Sequence, residues 1–260
     1  NLRKVEIPTN SNLQTIEKNA FSESTIEKIY FPKSLIELKE GWCAEARKLM
    51  KIVISPLNNQ FIFKDDKYLL GKSDQNNDKF DNFLFVRRDI NEICIPSNIK
   101  IIGSFSFSYS TIEEIFIPSS VIKICEDAFY DCKNLIKVEI PTNSNLQTIE
   151  KNAFYKSNIE EIFIPSSVTK LCEHAFSFCK NLVKVEFATN SNLQTIERYA
   201  FSHSKIEEIF IPSSVTKICE DTFSECSNLR KVEFPTNSNL QTIERDAFTR
   251  STIEEIFIPS

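Results

Sequence analysis

The residues that could carry out chemistry are few, and they follow a repeat. The chain has 260 residues, with three glycines and only two histidines, His174 and His203. This leaves little room for a histidine-based metal site or catalytic triad, and it excludes a Gly-rich phosphate loop. Both histidines take slots that other copies fill with ordinary polar residues, which predicts surface positions. The Glu113–Glu114 pair recurs four times, whereas a catalytic dyad needs one special environment. We therefore predict no enzyme, no cofactor and no metal site.

Six of the eight cysteines recur at a step of 47 residues: Cys125 and Cys132, Cys172 and Cys179, Cys219 and Cys226. Equivalent cysteines lie two coils apart, roughly 10 Å, beyond the roughly 7 Å that a disulfide spans between Cα atoms. A bridge within one coil is the remaining alternative to free thiols. The inward slots of Cys132, Cys179 and Cys226 favour buried free thiols. Cys43 sits in a Phe slot, and the outward Cys94 is the candidate reactive thiol.

The step of 47 residues is the main pattern in the chain. The string IEEIFIPS starts at Ile112, Ile159, Ile206 and Ile253, and a second string, exemplified by LIKVEIPTNSNLQTIE, starts at Leu2, Leu135, Leu182 and Leu229. The step is therefore a pair of units of 23 and 24 residues. A unit this short buries its apolar face only by stacking on its neighbours, which predicts a solenoid.

Each unit begins with the alternation of a short strand. We expect the side chains of Ile112, Ile115, Ile117, Val121, Ile124, Ala128 and Phe129 to point inward. The segment Val121 to Cys125 is a candidate second strand, and the residues from Ala128 onward are expected to turn back, as turns or a short helical turn. No unit has room for a full helix.

One unit, from Leu49 to Ile90, is 41 residues long. Its apolar runs, separated by turn residues, predict a β-hairpin insert at 55–89. The insert could pack on the edge of the array or protrude as a contact. We predict one solenoid of about ten repeats over 1–260, and the absence of atypical end units predicts an uncapped piece of a longer array.

The unit resembles the BspA-like class of leucine-rich repeats. The segment IPSSVTKICEDAFSECSNL, Ile211 to Leu229, is similar to that family's Leu-Pro-x-x-Val-x-x-Ile-x-x-x-Ala-Phe-x-x-Cys unit. The resemblance implies an α/β-type leucine-rich-repeat solenoid, mainly short parallel strands joined by turns or short helical turns. The family includes surface proteins of oral bacteria and large sets in parasitic protozoa such as trichomonads, and the Asn- and Lys-rich composition favours a protozoan source.

Function in a solenoid is expected on the concave sheet. Strand alternation places two series of residues there, and they form the candidate protein-binding face: Glu114, Lys137, Glu161, Lys184, Glu208 and Lys231, and beside them Phe116, Glu139, Phe163, Glu186, Phe210 and Glu233. The alternating Glu and Lys could form a structural charge ladder or a binding surface. The Phe rings could be interface anchors or could shield one another and nearby Lys stems.

The charge of this face predicts the partner. Each unit from Ile112 onward has three outward positions, which are its second, third and fifth residues. Together these positions hold eleven Glu, Glu113 and Glu255 included, against three Lys and one Arg, a net charge of −7. Nucleic acid would be repelled, and a basic protein segment attracted. In the first units Lys4, Lys28 and Lys51 stack instead, so the footprint should differ between the two halves.

Two functions remain open at this point. One is a non-enzymatic adhesion module on a cell surface or secreted, which the family resemblance implies, with host matrix or cell-surface proteins as partners. The other is an intracellular, cytoplasmic scaffold or regulatory module, which the free thiols and the absence of N-glycosylation sequons favour. No apolar run in the chain is long enough for a membrane span.

Overall fold

The computed structural model describes residues 2–254 and 256–258, which form a parallel-strand solenoid of about 10 turns. Its strands are β1 (Thr15–Ile16), β2 (Lys28–Phe31), β3 (Glu37–Leu38), β4 (Lys51–Ile54), β5 (Phe61–Lys64), β6 (Tyr68–Gly71), β7 (Asn82–Val86), β8 (Ile101–Ile102), β9 (Glu114–Phe116), β10 (Lys123–Ile124), β11 (Lys137–Glu139), β12 (Thr148–Ile149), β13 (Glu161–Ile164), β14 (Lys170–Leu171), β15 (Lys184–Phe187), β16 (Thr195–Ile196), β17 (Glu208–Phe210), β18 (Lys217–Ile218), β19 (Lys231–Glu233) and β20 (Thr242–Ile243).

The strands form two rows. The first row holds the strand that opens each unit, in the hydrogen-bonded sets β2-β4, β9-β11-β13-β15 and β17-β19. The second row holds the two-residue strands that follow in each unit, and β8 to β20 of this row belong to one sheet of ten strands. The predicted second strand within Val121 to Cys125 is thereby confirmed as β10.

The core lies between the two rows. The seven side chains predicted to point inward, from Ile112 to Phe129, are all at most 3% exposed. Phe107, Phe129, Phe154, Phe176, Phe201, Phe223 and Phe248 stack coil upon coil, with neighbouring ring centroids 4.8 to 5.5 Å apart. Each coil therefore buries one aromatic ring against the rings of the coils on either side, which none could do alone.

The expected helical turns are absent from the described residues, so the α/β part of the predicted class is not confirmed. Each coil turns back through two residues with left-handed backbone, for example Asp127 (φ 57°) and Asp131 (φ 53°). Such residues interrupt a helical hydrogen-bond ladder. The freed N–H groups bond the next coil instead, as when the Phe129 N–H donates to the Ala153 carbonyl at 2.7 Å.

The long unit inserts three antiparallel strands, β5, β6 and β7, and β7 continues into the second row by pairing parallel with β8. The two sides of this small sheet face different cores. Leu70 and Phe83 pack into the core of the later coils, whereas Leu69 and Phe85 pack into the core of the first units. The sheet formed by β5, β6 and β7 therefore lies between the two cores and packs against both. The single-array boundaries of 1–260 stay a prediction, and the end residues Asn1, Pro259 and Ser260 lie outside the described residues.

Candidate functional site

The twelve residues predicted for the binding face all lie on the outer side of the first row, on strands β9, β11, β13, β15, β17 and β19. Parallel pairing places Lys137 opposite both Glu114 and Glu161. Lys184 lies opposite Glu161, and Lys231 lies opposite Glu208. The alternation of charge across neighbouring strands therefore exists in the structure. We call this surface, with its twelve residues, the acidic face. Glu255, which would continue the series, lies outside the described residues.

The ion pairs on the acidic face run along the strands rather than across them. The Nζ of Lys184 lies 3.2 Å from a carboxylate oxygen of Glu186, and Lys231 lies 2.5 Å from Glu233 in the same way. Residues i and i+2 of a strand project from the same side, so a lysine reaches the next carboxylate of its own strand. The hydrogen bond to Glu186 raises the pKa of Lys184.

This arrangement leaves the cross-strand carboxylates without a close partner. Among the described residues, no ion pair within 4 Å involves Glu114, Glu161 or Glu208. The charge ladder expected across the strands is therefore an alternation in register without direct contacts. The face keeps unneutralised carboxylates that point to solvent.

The phenylalanines of the acidic face differ in exposure. Phe116 and Phe210 are 52% and 51% exposed, whereas Phe163 is half-buried. A shallow groove of about 670 Å³ runs between Phe116 and Phe163. Eight predicted residues line this groove: Glu114, Phe116, Lys137, Glu139, Glu161, Phe163, Lys184 and Glu186. Glu208, Phe210, Lys231 and Glu233 lie further along the row, outside it.

The outer side of the second row holds a repeated carboxylate contact that sequence reasoning missed. Glu150 accepts a hydrogen bond from the Glu126 backbone N–H at 3.2 Å, and its other oxygen lies 2.8 Å from the Nζ of Lys123. Glu197 and Glu244 repeat both contacts one and two 47-residue steps later. These carboxylates tie neighbouring coils together, so their role is structural. The signal was present as Glu in alternate units where Cys stands in the others.

A strip of aromatic side chains along the turns was also missed. His174 stacks on Tyr199 with ring centroids 4.7 Å apart, and His203 stacks on Phe178 at 4.1 Å. Burial lowers the pKa of His174. The histidines are therefore half-buried members of ring stacks rather than ordinary surface polar residues. In a stack the face of each ring is covered by its neighbour, so mainly ring edges remain accessible to a ligand.

All eight cysteines are free in the structure. The thiol of Cys179 donates to the Phe154 carbonyl at 3.1 Å and lies 3.4 Å from the Ser157 hydroxyl. Burial raises the pKa of Cys179 to about 12 and that of Cys132 to about 11. These buried thiols resist ionisation and so are poor nucleophiles. Cys94 is exposed, as its outward position predicted.

In residues 2–254 and 256–258, no three His, Cys, Asp or Glu side chains come together as a metal site would require. No helix in the same residues has the length and hydropathy to cross a membrane.

The sequence matches a model of a protein family. A model described as "BspA type Leucine rich repeat region" matches in six copies, at residues 1–68, 78–158 and 147–260. Leucine-rich repeat proteins generally bind other proteins, and the comparisons indicate no enzymatic family. No curated protein matches the chain.

Solved structures show the same fold. A leucine-rich repeat protein from Eubacterium ventriosum is 24% identical, with a TM-score of 0.76 over 94% of this chain and 63% of its own. A leucine rich cell surface protein from Faecalibacterium prausnitzii is 23% identical, with a TM-score of 0.65 over 90% of this chain and 54% of its own. The pneumococcal vaccine antigen PcpA is 22% identical, with a TM-score of 0.59 over 69% of this chain and 51% of its own. The chain thus spans between half and two thirds of these proteins. All three are bacterial proteins, and the protozoan source stays a prediction.

Proposed function

Since the chain belongs to the BspA-type leucine-rich repeat family, we propose that it is a non-enzymatic module that binds protein through the acidic face. We expect this face to be the concave one. The observation that carries the proposal is the exposure of Phe116 and Phe210 among carboxylates on a rigid row of strands. Large aromatic side chains held on a regular scaffold are typical anchors of protein interfaces.

The chemistry of the acidic face selects the partner. Glu114, Glu161 and Glu208 present carboxylates without close cations, so a partner that carries Lys or Arg gains charge complementarity. The groove beside Phe116 offers apolar surface to a side chain of the same partner. A basic protein segment with an apolar residue between its cations fits both features.

We place this module on a cell surface or outside the cell, with a host matrix or cell-surface protein as its partner. The similar protein from Faecalibacterium prausnitzii is described as a cell surface protein, which supports this location. An intracellular scaffold is the second candidate, and the eight free cysteines favour it, since thiols persist where the environment is reducing.

Surface labelling separates the two locations. Intact source cells would be treated with a membrane-impermeant reagent and this protein then detected. We expect label on intact cells. Label that appears only after lysis would exclude the adhesion module and leave the scaffold.

The binding face is tested by the double variant Phe116→Ala/Phe210→Ala. We expect its affinity for an immobilised extracellular-matrix protein extract to fall at least about tenfold, because each truncation removes an anchor. The matched control is Leu57→Ala/Ile122→Ala, which truncates exposed apolar side chains that are not part of the acidic face. Phe163 is less suitable for this test because it is half-buried. Equal affinities for the two variants, both folded by circular dichroism, would rule out this face.

A further inference from the structure

The first units carry a basic patch on the outer side of the first row. Arg3, Lys4, Lys28 and Lys48 line a groove of about 560 Å³, together with Thr25 and the one carboxylate Glu27. Lys51 lies on β4, directly opposite Lys28 on β2. The side chains of all five cations are exposed. We call these five the basic patch: Arg3, Lys4, Lys28, Lys48 and Lys51.

The basic patch breaks a pairing rule that the rest of the row obeys. Each lysine at this position of the acidic face has a glutamate two residues later on the same strand, and the two form an ion pair. Lys4 keeps the rule through Glu6. In contrast, the residues two positions after Lys28 and Lys51 are Tyr30 and Val53.

The lysine side chains of Lys28 and Lys51 therefore repel each other unless an anion binds between them. In the described part of the chain, no ion pair within 4 Å involves Lys28, Lys51 or Lys48. Like charges placed directly opposite on neighbouring strands repel each other. The fold does not require this repulsion, since in the later coils the residue opposite each such lysine is a glutamate.

We propose that the basic patch binds a linear sulfated polysaccharide. Lys28 and Lys51 are register partners on neighbouring strands, roughly 4.8 Å apart, and Lys4 lines the same groove as Lys28. A chain that carries sulfate groups along its length can contact several of these cations in turn and release the counterions that they hold. Thr25 is not available to help, because its hydroxyl already donates to the Leu2 carbonyl at 3.3 Å.

The composition of the patch favours a polysaccharide over other polyanions. None of the residues that line the groove is aromatic, and Tyr30, two residues after Lys28, is half-buried, whereas single-stranded nucleic acid is held mainly by bases stacked on aromatic rings. An acidic protein segment would gain little anchoring, because the groove presents almost no apolar side chain. A sulfate group requires only cations and hydrogen-bond donors, and the patch offers both.

The test uses heparin as the sulfated probe and measures its affinity for the 260-residue chain over a series of NaCl concentrations. We expect Lys28→Ala/Lys51→Ala to bind about tenfold more weakly. The magnitude of the slope of log affinity against log salt should decrease by about one to two, since binding without the two lysines makes fewer sulfate contacts and releases fewer counterions. The matched control is Lys184→Ala/Lys231→Ala, which removes the same two charges from the same position of paired units. It should leave the affinity unchanged.

Three results would overturn the proposal. They are the absence of heparin binding at about 50 mM NaCl, equal weakening by the two double variants, and displacement of the bound heparin by single-stranded RNA at concentrations where dextran sulfate fails. Retained circular dichroism spectra show that the variants are folded, which their exposed positions favour. The heparin test is separate from the test of the acidic face, since Lys28→Ala/Lys51→Ala changes no residue of that face.

Discussion

The first units and the later coils follow one repeat but differ in charge and in packing. In the later coils each lysine of the first row is paired along its strand, and the phenylalanines stack in one continuous column. In the first units Lys28 and Lys51 take part in none of the ion pairs seen among the described residues, and Phe31 meets Trp42 edge to face at 5.6 Å. The insert strands β5 to β7 separate the two cores.

This difference shows which parts of the repeat the fold requires. The inward apolar positions are kept in both regions, so they are needed to close a coil. The outward positions vary without loss of the strands, so they are open to selection for binding. The insert allows the change, because the first row has no strand between β4 and β9 and the later charge pattern need not extend across that gap.

The largest expected effect comes from breaking the aromatic column of the later coils. Phe176 is fully buried between Phe154 and Phe201, with centroids 5.2 and 5.4 Å away. Phe176→Ala should lower the free energy of unfolding by about 3–5 kcal/mol, because the cavity cannot collapse between stacked rings. Urea unfolding followed by far-UV circular dichroism measures this loss.

The same experiment tests whether the two cores unfold separately. Trp42 is the single tryptophan and lies in the core of the first units, so its fluorescence reports on that core. Phe176→Ala should shift the dichroism transition more than the fluorescence transition, and Phe31→Ala should do the reverse. Identical shifts by both probes would mean that the insert joins the cores into one cooperative unit.

A smaller effect is expected at the left-handed turn residues, which also differ between the regions. The first units use Asn19 and Gly41 at this position, whereas one of the later coils uses the buried Asp127. Burial raises the pKa of Asp127 from 3.8 to about 7. Because the folded pKa exceeds the unfolded one, this group lowers stability as pH rises from about 4 to about 7, and the loss is complete above pH 7.

The variant Asp127→Asn should therefore stabilise the protein by about 1 kcal/mol at pH 8, after allowance for solvent screening, and much less at pH 4.5. Asn152 shows that asparagine fits this position in the next coil, with φ 54°. Urea midpoints at the two pH values measure the difference, and Asp221→Asn at the half-buried equivalent position is the control. An equal gain at both pH values would assign the effect to backbone preference rather than to titration.

The smallest effect on stability is expected when the charge pattern of the first units is copied into the later coils. Glu186→Gln/Glu233→Gln frees Lys184 and Lys231 from their exposed pairs. The urea midpoint should stay unchanged within error, because exposed ion pairs contribute little. Heparin affinity should rise, since two unpaired lysines now lie on β15 and β19. An unchanged affinity would show that lysine pairing does not distinguish the two regions.

Much of the fold could be predicted because the repeat states the same information many times. The inward series from Ile112 to Phe129, the second strand at Lys123–Ile124 and the buried Cys132 all follow from strand alternation and the 47-residue step. The charge alternation of the acidic face also follows from it, because parallel strands in register place equivalent residues side by side. Binding by this face stays a prediction.

What could not be predicted depends on choices between nearby partners. Lys184 could reach Glu161 across the strands or Glu186 along its own strand, and only side-chain geometry decides. The backbone N–H groups of the turn after Ala128 could bond within a helical turn or to carbonyls of the next coil. With Asp127 and Asp131 in the left-handed conformation, they bond to the next coil. The insert at 55–89 could protrude or wedge, since alternating apolar runs do not say that both sides are covered.

The 47-residue step also determines how a chain of this kind can change its length. Loss or gain of one block, such as 159–205, joins strand edges identical to those already present, so unequal crossing-over in the coding sequence changes the number of coils without opening the core. Each block carries one outward phenylalanine and one lysine–glutamate ion pair along a strand. In block 159–205 these are Phe163 and the pair Lys184–Glu186. The number of blocks therefore sets the number of equivalent contacts offered to a repetitive partner, and avidity becomes a heritable quantity that varies in whole steps.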